Sequence, residues 1–212
     1  MPPPAPSAEL WQSLFTIYTI SAFVVTGVVF ALFFYFLVRY KEKPDTPEPE
    51  DAPRVAIMPD RGSPMAAFVL AIILAVLFLG LTIGTFTRLD FIEELPESSE
   101  AFSIQVVGFQ WGWRFIYANG KILTGELRVP VETPIILEIT SQDVFHTFAI
   151  PEFKIKKDAI PGRINIIWFE ANFASEFAIR CYELCGTGHA EMLATLLVME
   201  TDQFNVWYQG GN

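Results

Sequence analysis

The sequence predicts a membrane-anchored protein in which two apolar helices precede an all-β domain. Two observations predict this fold class. The chain is 52% hydrophobic, and two long stretches of its N-terminal half carry no charged residue. After residue 100 the pattern changes to short alternating apolar runs separated by turn signals, which is typical of a β-sandwich or barrel.

Residues 10–38 are the first predicted transmembrane helix, and residues 1–9 are predicted to be an exterior tail. The stretch runs 29 residues without a charge, whereas a membrane span needs about 20 apolar residues. A buried helix of a soluble protein is the alternative, which this length disfavours. Trp11 and Tyr18 lie toward one end, and Tyr35 and Tyr40 toward the other, as is typical of membrane–water interfaces.

Residues 65–87 are the second predicted transmembrane helix, and residues 39–64 are the connecting loop. Neither helix carries an ionisable residue in its interior, so we predict an anchor that packs on partner helices rather than an ion pathway. The loop is rich in proline and has five basic residues, whereas the tail has none, which predicts a cytoplasmic loop and exterior chain ends. The basic residues are Arg39, Lys41, Lys43, Arg54 and Arg61.

Residues 88–212 are predicted to be an exterior β domain that begins with a short acidic linker, residues 88–100. Asn119-Gly120 separates two alternating runs, which indicates a hairpin. The predicted strands are 103–107, 113–117, 121–123, 127–129, 135–139, 164–169, 176–179 and 193–199.

The formal charge of the chain is −10, which does not favour nucleic-acid binding. Residues 88–212 hold 17 acidic and nine basic residues, leaving −8 on the predicted exterior domain. This charge indicates either solubility or a docking surface for a cationic partner, because complementary charge orients encounters and raises association rates.

The candidate site is the segment 181–192, in which the two cysteines of the chain lie close to His189 and Met192. The other histidine of the chain is His146. Thiolate, imidazole and thioether ligands suit copper, zinc or iron–sulfur centres better than magnesium or calcium.

Several centres fit these residue types to different degrees. Structural zinc sites take no thioether. Iron–sulfur clusters usually need four cysteines, or two cysteines and two histidines in the Rieske variant, which does not call for a thioether. A mononuclear blue-copper site needs one cysteine fewer. Two thiolates could instead bridge two copper ions, each with one terminal imidazole. The structural alternatives are a disulfide or buried thiols for the cysteines, structural roles for the histidines and a core position for Met192.

The pattern Cys-x-Glu-x-Cys-Gly-x-x-His-x-x-Met, with an upstream Asp-Val-x-His, resembles the copper A site of cytochrome c oxidase subunit II. The stretches 110–113, 151–153 and 157–163 also resemble that family, which implies a cupredoxin-like Greek-key β-barrel. The ligands that the resemblance implies for two copper ions are His146, Cys181, Glu183 by its main-chain carbonyl, Cys185, His189 and Met192.

The resemblance also implies a function. Electrons from a c-type cytochrome or a small copper protein would arrive at Trp111, pass through the copper pair and continue to haem in subunit I, where oxygen becomes water. Phe109 and Gly112 depart from the family's usual residues beside Trp111. The Glu183 carboxylate would help to hold magnesium at the subunit I interface.

The implied complex lies in a plasma (inner) membrane and includes subunit I, subunit III and membrane lipid. Lys157, Asp158 and Arg163 would pack on subunit I, and Asp60 is the nearest match to the family's proton-uptake acid. A quinol oxidase subunit lacks these copper ligands. A membrane-anchored copper carrier or copper-delivery protein outside any oxidase is the remaining alternative.

Overall fold

The computed structural model describes residues 5–39, 41, 63–96 and 101–210. It contains two compact units, one of residues 14–87 and one that combines residues 1–13 with residues 88–212. Most of the predicted loop 39–64, with Asp60, lies outside the described residues.

The unit of residues 14–87 contains most of two long helices, α1 (Pro6–Arg39) and α2 (Pro64–Glu93). Both are long and apolar enough to cross a membrane, and their apolar side chains are exposed on all sides. A helix that is apolar all round needs a lipid or protein environment. Within this unit the Tyr18 hydroxyl contacts the Thr85 hydroxyl at 2.8 Å and so links the two helices.

The helices extend beyond the predicted spans. Helix α1 begins at Pro6, within the predicted tail 1–9, and α2 continues to Glu93, so the first part of the predicted linker 88–100 is helical. The first turn of α1 packs on the β domain, because the Ser7 hydroxyl donates a hydrogen bond to the Phe153 carbonyl at 2.6 Å. Ala5 and Ala8 are buried there.

The β domain has ten described strands in two five-stranded sheets. The strands are β1 (Phe102–Phe109), β2 (Gly112–Tyr117), β3 (Ile122–Thr124), β4 (Glu126–Pro130), β5 (Ile135–Ser141), β6 (His146–Ile150), β7 (Ile155–Ala159), β8 (Asn165–Phe169), β9 (Ser175–Cys181) and β10 (Leu193–Met199). The sheet orders are β3-β2-β1-β5-β8 and β4-β10-β9-β6-β7. Within them β1 pairs with β5 and β4 with β10 in parallel.

The core lies between the two sheets and is filled by alternate residues of the strands. On β2, for example, Trp113, Phe115 and Tyr117 point inward and are buried, while the intervening residues are partly exposed. Alternation of this kind is what a half-buried strand requires. The predicted fold class, two apolar helices followed by an all-β domain, is confirmed.

Two strands and one α-helix were not among the predictions, namely β6, β7 and a C-terminal helix α3 (Thr201–Gln209). All five residues of β6 are buried, so the strand has no alternating pattern. Helix α3 buries Phe204 against the Phe102 ring, with the ring centroids 5.4 Å apart. The helix packs its aromatic side chains on Phe102 of β1 and Tyr117 of β2.

Candidate metal centre

The candidate metal centre is built from the start of β6 and the segment that joins β9 to β10. His146 is the first residue of β6, and Cys181 is the last residue of β9. The two strands are antiparallel neighbours in which Phe148 pairs with Cys181. This register brings the two ends together, so a histidine 35 positions upstream lies beside the first cysteine.

The segment after Cys181 folds back into the same region. The Cys181 N–H donates to the Met192 carbonyl at 3.2 Å, and the Tyr182 N–H donates to the Thr147 carbonyl at 2.9 Å. A turn at Gly186 has a φ of +123°, a value that favours glycine. A short 3₁₀ helix, His189–Glu191, follows and presents His189.

The donor atoms converge as two similar halves. The two Sγ atoms lie 3.8 Å apart. Cys181 Sγ is 3.9 Å from Nδ1 of His146 and 3.3 Å from the Glu183 carbonyl oxygen. Cys185 Sγ is 3.6 Å from Nδ1 of His189 and 3.7 Å from the Met192 sulfur. Each sulfur therefore contacts one imidazole and one weaker donor.

The two cysteines are free thiols in a buried setting. Their sulfur separation is nearly twice the length of a disulfide bond, about 2.05 Å, so they are not joined. Burial, together with the neighbouring Cys181 thiol, raises the pKa of Cys185 to about 11. A bound cation would supply the positive charge that a pair of thiolates requires in such surroundings.

His146 is oriented by Asp143, a contact that the sequence reasoning did not identify. The ring is fully buried, and its Nε2 lies 2.9 Å from the Asp143 carboxylate, which leaves Nδ1 facing Cys181. Burial alone would raise the pKa of Asp143. Hydrogen bonds from His146 and from the main-chain N–H groups of Gln110 and Val144 outweigh burial and hold that pKa below its ordinary value.

The donor set fits a soft metal. Ligand atoms of His146, Cys181 and Cys185 all lie within 4.8 Å of one another. With His189, Met192 and the nearby main-chain carbonyl, the set is sulfur, nitrogen and one oxygen, which is the chemistry that copper takes.

Trp111 lies against the candidate segment 181–192 with 43% of its surface exposed. Its indole N–H points to the Cys185 carbonyl at 3.4 Å, and the Gln110 amide donates to the same oxygen at 2.7 Å. Trp113 is fully buried instead, with its ring 6.0 Å from that of His146 and 5.2 Å from that of Phe148.

The side chains of the remaining predicted residues are not part of this donor set. The Glu183 side chain is half-buried and belongs to no metal-binding group found among the described residues. Lys157, Asp158 and Arg163 line a separate exposed depression, and the Asp158 carboxylate accepts a hydrogen bond from Thr147.

Comparisons with known proteins agree with this geometry. A family model described as the periplasmic domain of cytochrome c oxidase subunit II matches residues 121–199. The crystallised periplasmic domain of subunit II of cytochrome oxidase from Bradyrhizobium japonicum is 34% identical with a TM-score of 0.51. That match covers 54% of this chain and 94% of that one, and it supports the cupredoxin-like fold of the β domain.

Two relatives match nearly the whole chain. Heme-copper oxidase subunit 2 of Aeropyrum pernix is 33% identical over 97% of this chain and 92% of its own length. Cytochrome c oxidase subunit 2 of Alkalihalophilus pseudofirmus is 32% identical over 98% of this chain, which spans 60% of that relative. The chain therefore belongs to the family of cytochrome c oxidase subunit II, the second subunit of heme–copper oxidases.

Proposed function

We propose that this chain is the electron-accepting subunit of a membrane-bound oxidase that reduces oxygen to water. Family membership supports the oxidase, and the paired donor set supports the electron-accepting role. The observation that carries the proposal is the division of that set into two halves that share a pair of sulfurs only 3.8 Å apart. The oxygen chemistry belongs to another subunit.

The ligands would be the two thiolates, His146, His189, Met192 and the main-chain carbonyl of Glu183. Two coppers rather than one account for the presence of two imidazoles and two weak donors around two sulfurs. When bound, such a pair would supply a centre that gains and loses one electron. A single blue-copper site would leave one thiol without a role.

The chain's contribution is to hold the donors in fixed positions away from water. Cys181, Cys185, His146 and Met192 are each at most 7% exposed. Asp143 fixes the ring of His146, and Gln110 fixes the Cys185 carbonyl. Partners of this kind orient metal ligands and tune the metal that they bind.

Electron acceptance is proposed to occur at Trp111, because its ring is exposed on one side and contacts the candidate segment 181–192 on the other. The donor would be a c-type cytochrome or a small copper protein. Electrons would leave toward haem in subunit I. Lys157, Asp158 and Arg163 are proposed to face that subunit, and subunit III would complete the complex.

Magnesium at the interface with subunit I is a further part of the proposal. The Glu183 carboxylate would be one ligand. Magnesium prefers six oxygen ligands, including waters. Since Glu183 belongs to no group of three or more potential metal ligands among the described residues, the remaining protein ligands are proposed to come from the partner subunit.

The β domain is proposed to lie on the exterior, or periplasmic, side of a plasma membrane. The charge pattern of the sequence supports this orientation, because the five basic residues of the connecting segment favour the cytoplasm. The membrane segments would pack on helices of the other subunits and on lipid.

Copper content and electron paramagnetic resonance of the full chain in detergent test the proposal. We expect two coppers per chain and a seven-line hyperfine pattern, because one electron would be shared by two copper nuclei. Cys185→Ser, which removes one shared sulfur, is expected to abolish that pattern. One copper with a four-line pattern in the unaltered chain, or zinc alone, would contradict the dinuclear centre.

Co-purification separates the oxidase from the alternative role. A subunit of the oxidase is expected to be isolated from its native membrane together with a haem-bearing chain and oxygen-reducing activity. Isolation of the copper-loaded chain without any haem protein would favour the copper carrier or delivery protein.

A further inference from the structure

A surface depression of about 460 Å³ reaches the metal centre from one side. Three of the proposed ligands, Cys181, His189 and Met192, form part of its lining. The remaining lining residues are Arg180, Tyr182, Ala190 and Leu193. Since a water molecule occupies about 30 Å³ of the liquid, the depression has room for a hydrated ion or for a side chain that carries one.

The ligands need such a route because most of them are buried. His146 and Met192 have no exposed surface, and Cys181 and Cys185 are 7% and 5% exposed. His189 is only half-buried, so its imidazole is the ligand that an incoming ion can meet first.

The side of the centre next to Trp111 is closed. Gln110 and Trp111 both contact the Cys185 carbonyl. The Trp111 ring lies so close to Gly188 that a Cβ atom there would come within 2.5 Å of it. An ion approaching from this side would have to displace the indole.

The inner side is closed by the core. Trp113 packs its ring against both His146 and Phe148. A Cβ atom added at Gly108 would lie 3.0 Å from Trp113 and 3.1 Å from the His146 ring. Close packing of this kind leaves no passage for an ion.

The depression, in contrast, has an accessible rim. The Tyr182 and Leu193 side chains are 52% and 50% exposed. Arg180 is exposed and is the only lysine, arginine or acidic residue in the lining. Its positive charge would repel a bare copper ion and attract an anionic copper complex.

We propose that this depression is the route by which copper reaches the centre, and that Arg180 guides a carrier that holds Cu(I) in an anionic complex. The inference rests on the proposed copper function. Cu(I) would leave its carrier and bind the cysteine sulfurs, whose thiol protons pass to the solvent. No electron is transferred in this step.

Copper loading of the reduced, metal-free full chain in detergent tests the route. The probe is the anionic Cu(I)–bicinchoninate complex, whose colour is lost as copper leaves it. We expect Leu193→Trp, which narrows the depression, to slow loading about tenfold, equivalent to about 1.4 kcal/mol in barrier. The matched control is Ile122→Trp, at an exposed residue of β3 outside the depression, and it should load at the unaltered rate.

Arg180→Gln tests the route with little change in the size of the depression. It should slow loading from the anionic probe and leave loading from cationic Cu(I)–acetonitrile unchanged or faster. Wild-type rates in both Leu193→Trp and Arg180→Gln would overturn the route even when every chain finally holds two coppers. Failure of the unaltered chain to bind two coppers would instead overturn the proposed function.

Discussion

The Trp111 ring packs directly against Gly188, and we therefore expect Gly188→Ala to destabilise this contact. A Cβ atom at this position would lie 2.5 Å from Cδ2, 2.7 Å from Cγ and 2.8 Å from Cε3 of Trp111. The Gly188 backbone has φ −90° and ψ 12°, a conformation that alanine also adopts. The effect of the substitution therefore comes from the clash with the ring and not from backbone strain.

The size of the effect follows from these distances. Carbon atoms pack at about 3.5–4.0 Å, so the ring must retreat by about 1 Å. The Trp111 N–H is already 3.4 Å from the Cys185 carbonyl, and a retreat of that size breaks this hydrogen bond. Overpacking costs about 1–3 kcal/mol. We expect the lower end, near 1 kcal/mol, because Trp111 is 43% exposed and free to move outward.

A double-mutant cycle measures this contact. The free energy of unfolding of the full chain in detergent is compared for Gly188→Ala in the native background and in a Trp111→Ala background. We expect a loss of about 1 kcal/mol in the first and less than about 0.3 kcal/mol in the second. An equal loss in both backgrounds would refute the contact. Copper binding should be retained in all four chains, because none of the proposed ligands changes.

Three further predictions concern the core and the ligands. Burial raises the pKa of Tyr117 above its ordinary value, so the folded chain keeps the phenol proton when the unfolded chain loses it near pH 10. Stability should therefore fall above about pH 10 by up to about 1.4 kcal/mol per pH unit, and Tyr117→Phe should remove this part of the slope in denaturant titrations. Phe148→Ala removes a fully buried ring and should lower the free energy of unfolding by about 3–5 kcal/mol. The control Phe145→Ala removes a 40% exposed ring and should change that free energy by less than about 0.5 kcal/mol. Similar losses in the two variants would contradict the assigned core. Met192→Leu should retain two coppers with altered hyperfine splitting and lose less than about 1.5 kcal/mol, and an unchanged spectrum would argue against Met192 as a ligand.

The sequence predicted those elements in which apolar residues recur at a regular spacing or in which charged residues are absent. Two uncharged stretches predicted α1 and α2, and alternating polar and apolar residues predicted strands such as β1. Strand β6 was missed because all its residues are buried, so His146 to Ile150 shows no alternation. A short run without a period does not distinguish a buried strand from other buried segments. Helix α3 was missed although Phe204, Trp207 and Tyr208 have the i, i+3, i+4 spacing of one helical face, because a pattern of nine residues is short for a predicted helix.

The candidate ligands were predictable because their residue types are rare in this chain and closely spaced. Their surroundings were not. The Asp143 contact with His146 joins residues only three positions apart, but many aspartates lie near histidines without touching them. The contact of Trp111 with Cys185 joins the β1–β2 turn to the candidate segment 181–192 across 74 positions. No local pattern encodes a contact of that range, which depends on how the two sheets pack.

The candidate segment 181–192 is held by the sandwich as well as by hydrogen bonds within the segment. Cys181 is fixed by the pairing of β9 with β6, and Tyr182 donates to the Thr147 carbonyl of β6. Cys185 is fixed from the other sheet, through Gln110 and Trp111 at the β1–β2 turn. The two sulfurs are thus positioned by different sheets, and their separation depends on the packing between them. A core substitution such as Phe148→Ala, which removes no candidate ligand but lies opposite Cys181 in the β6–β9 pairing, should therefore disturb the centre's spectrum as well as the stability of the domain, whereas Phe145→Ala should disturb neither.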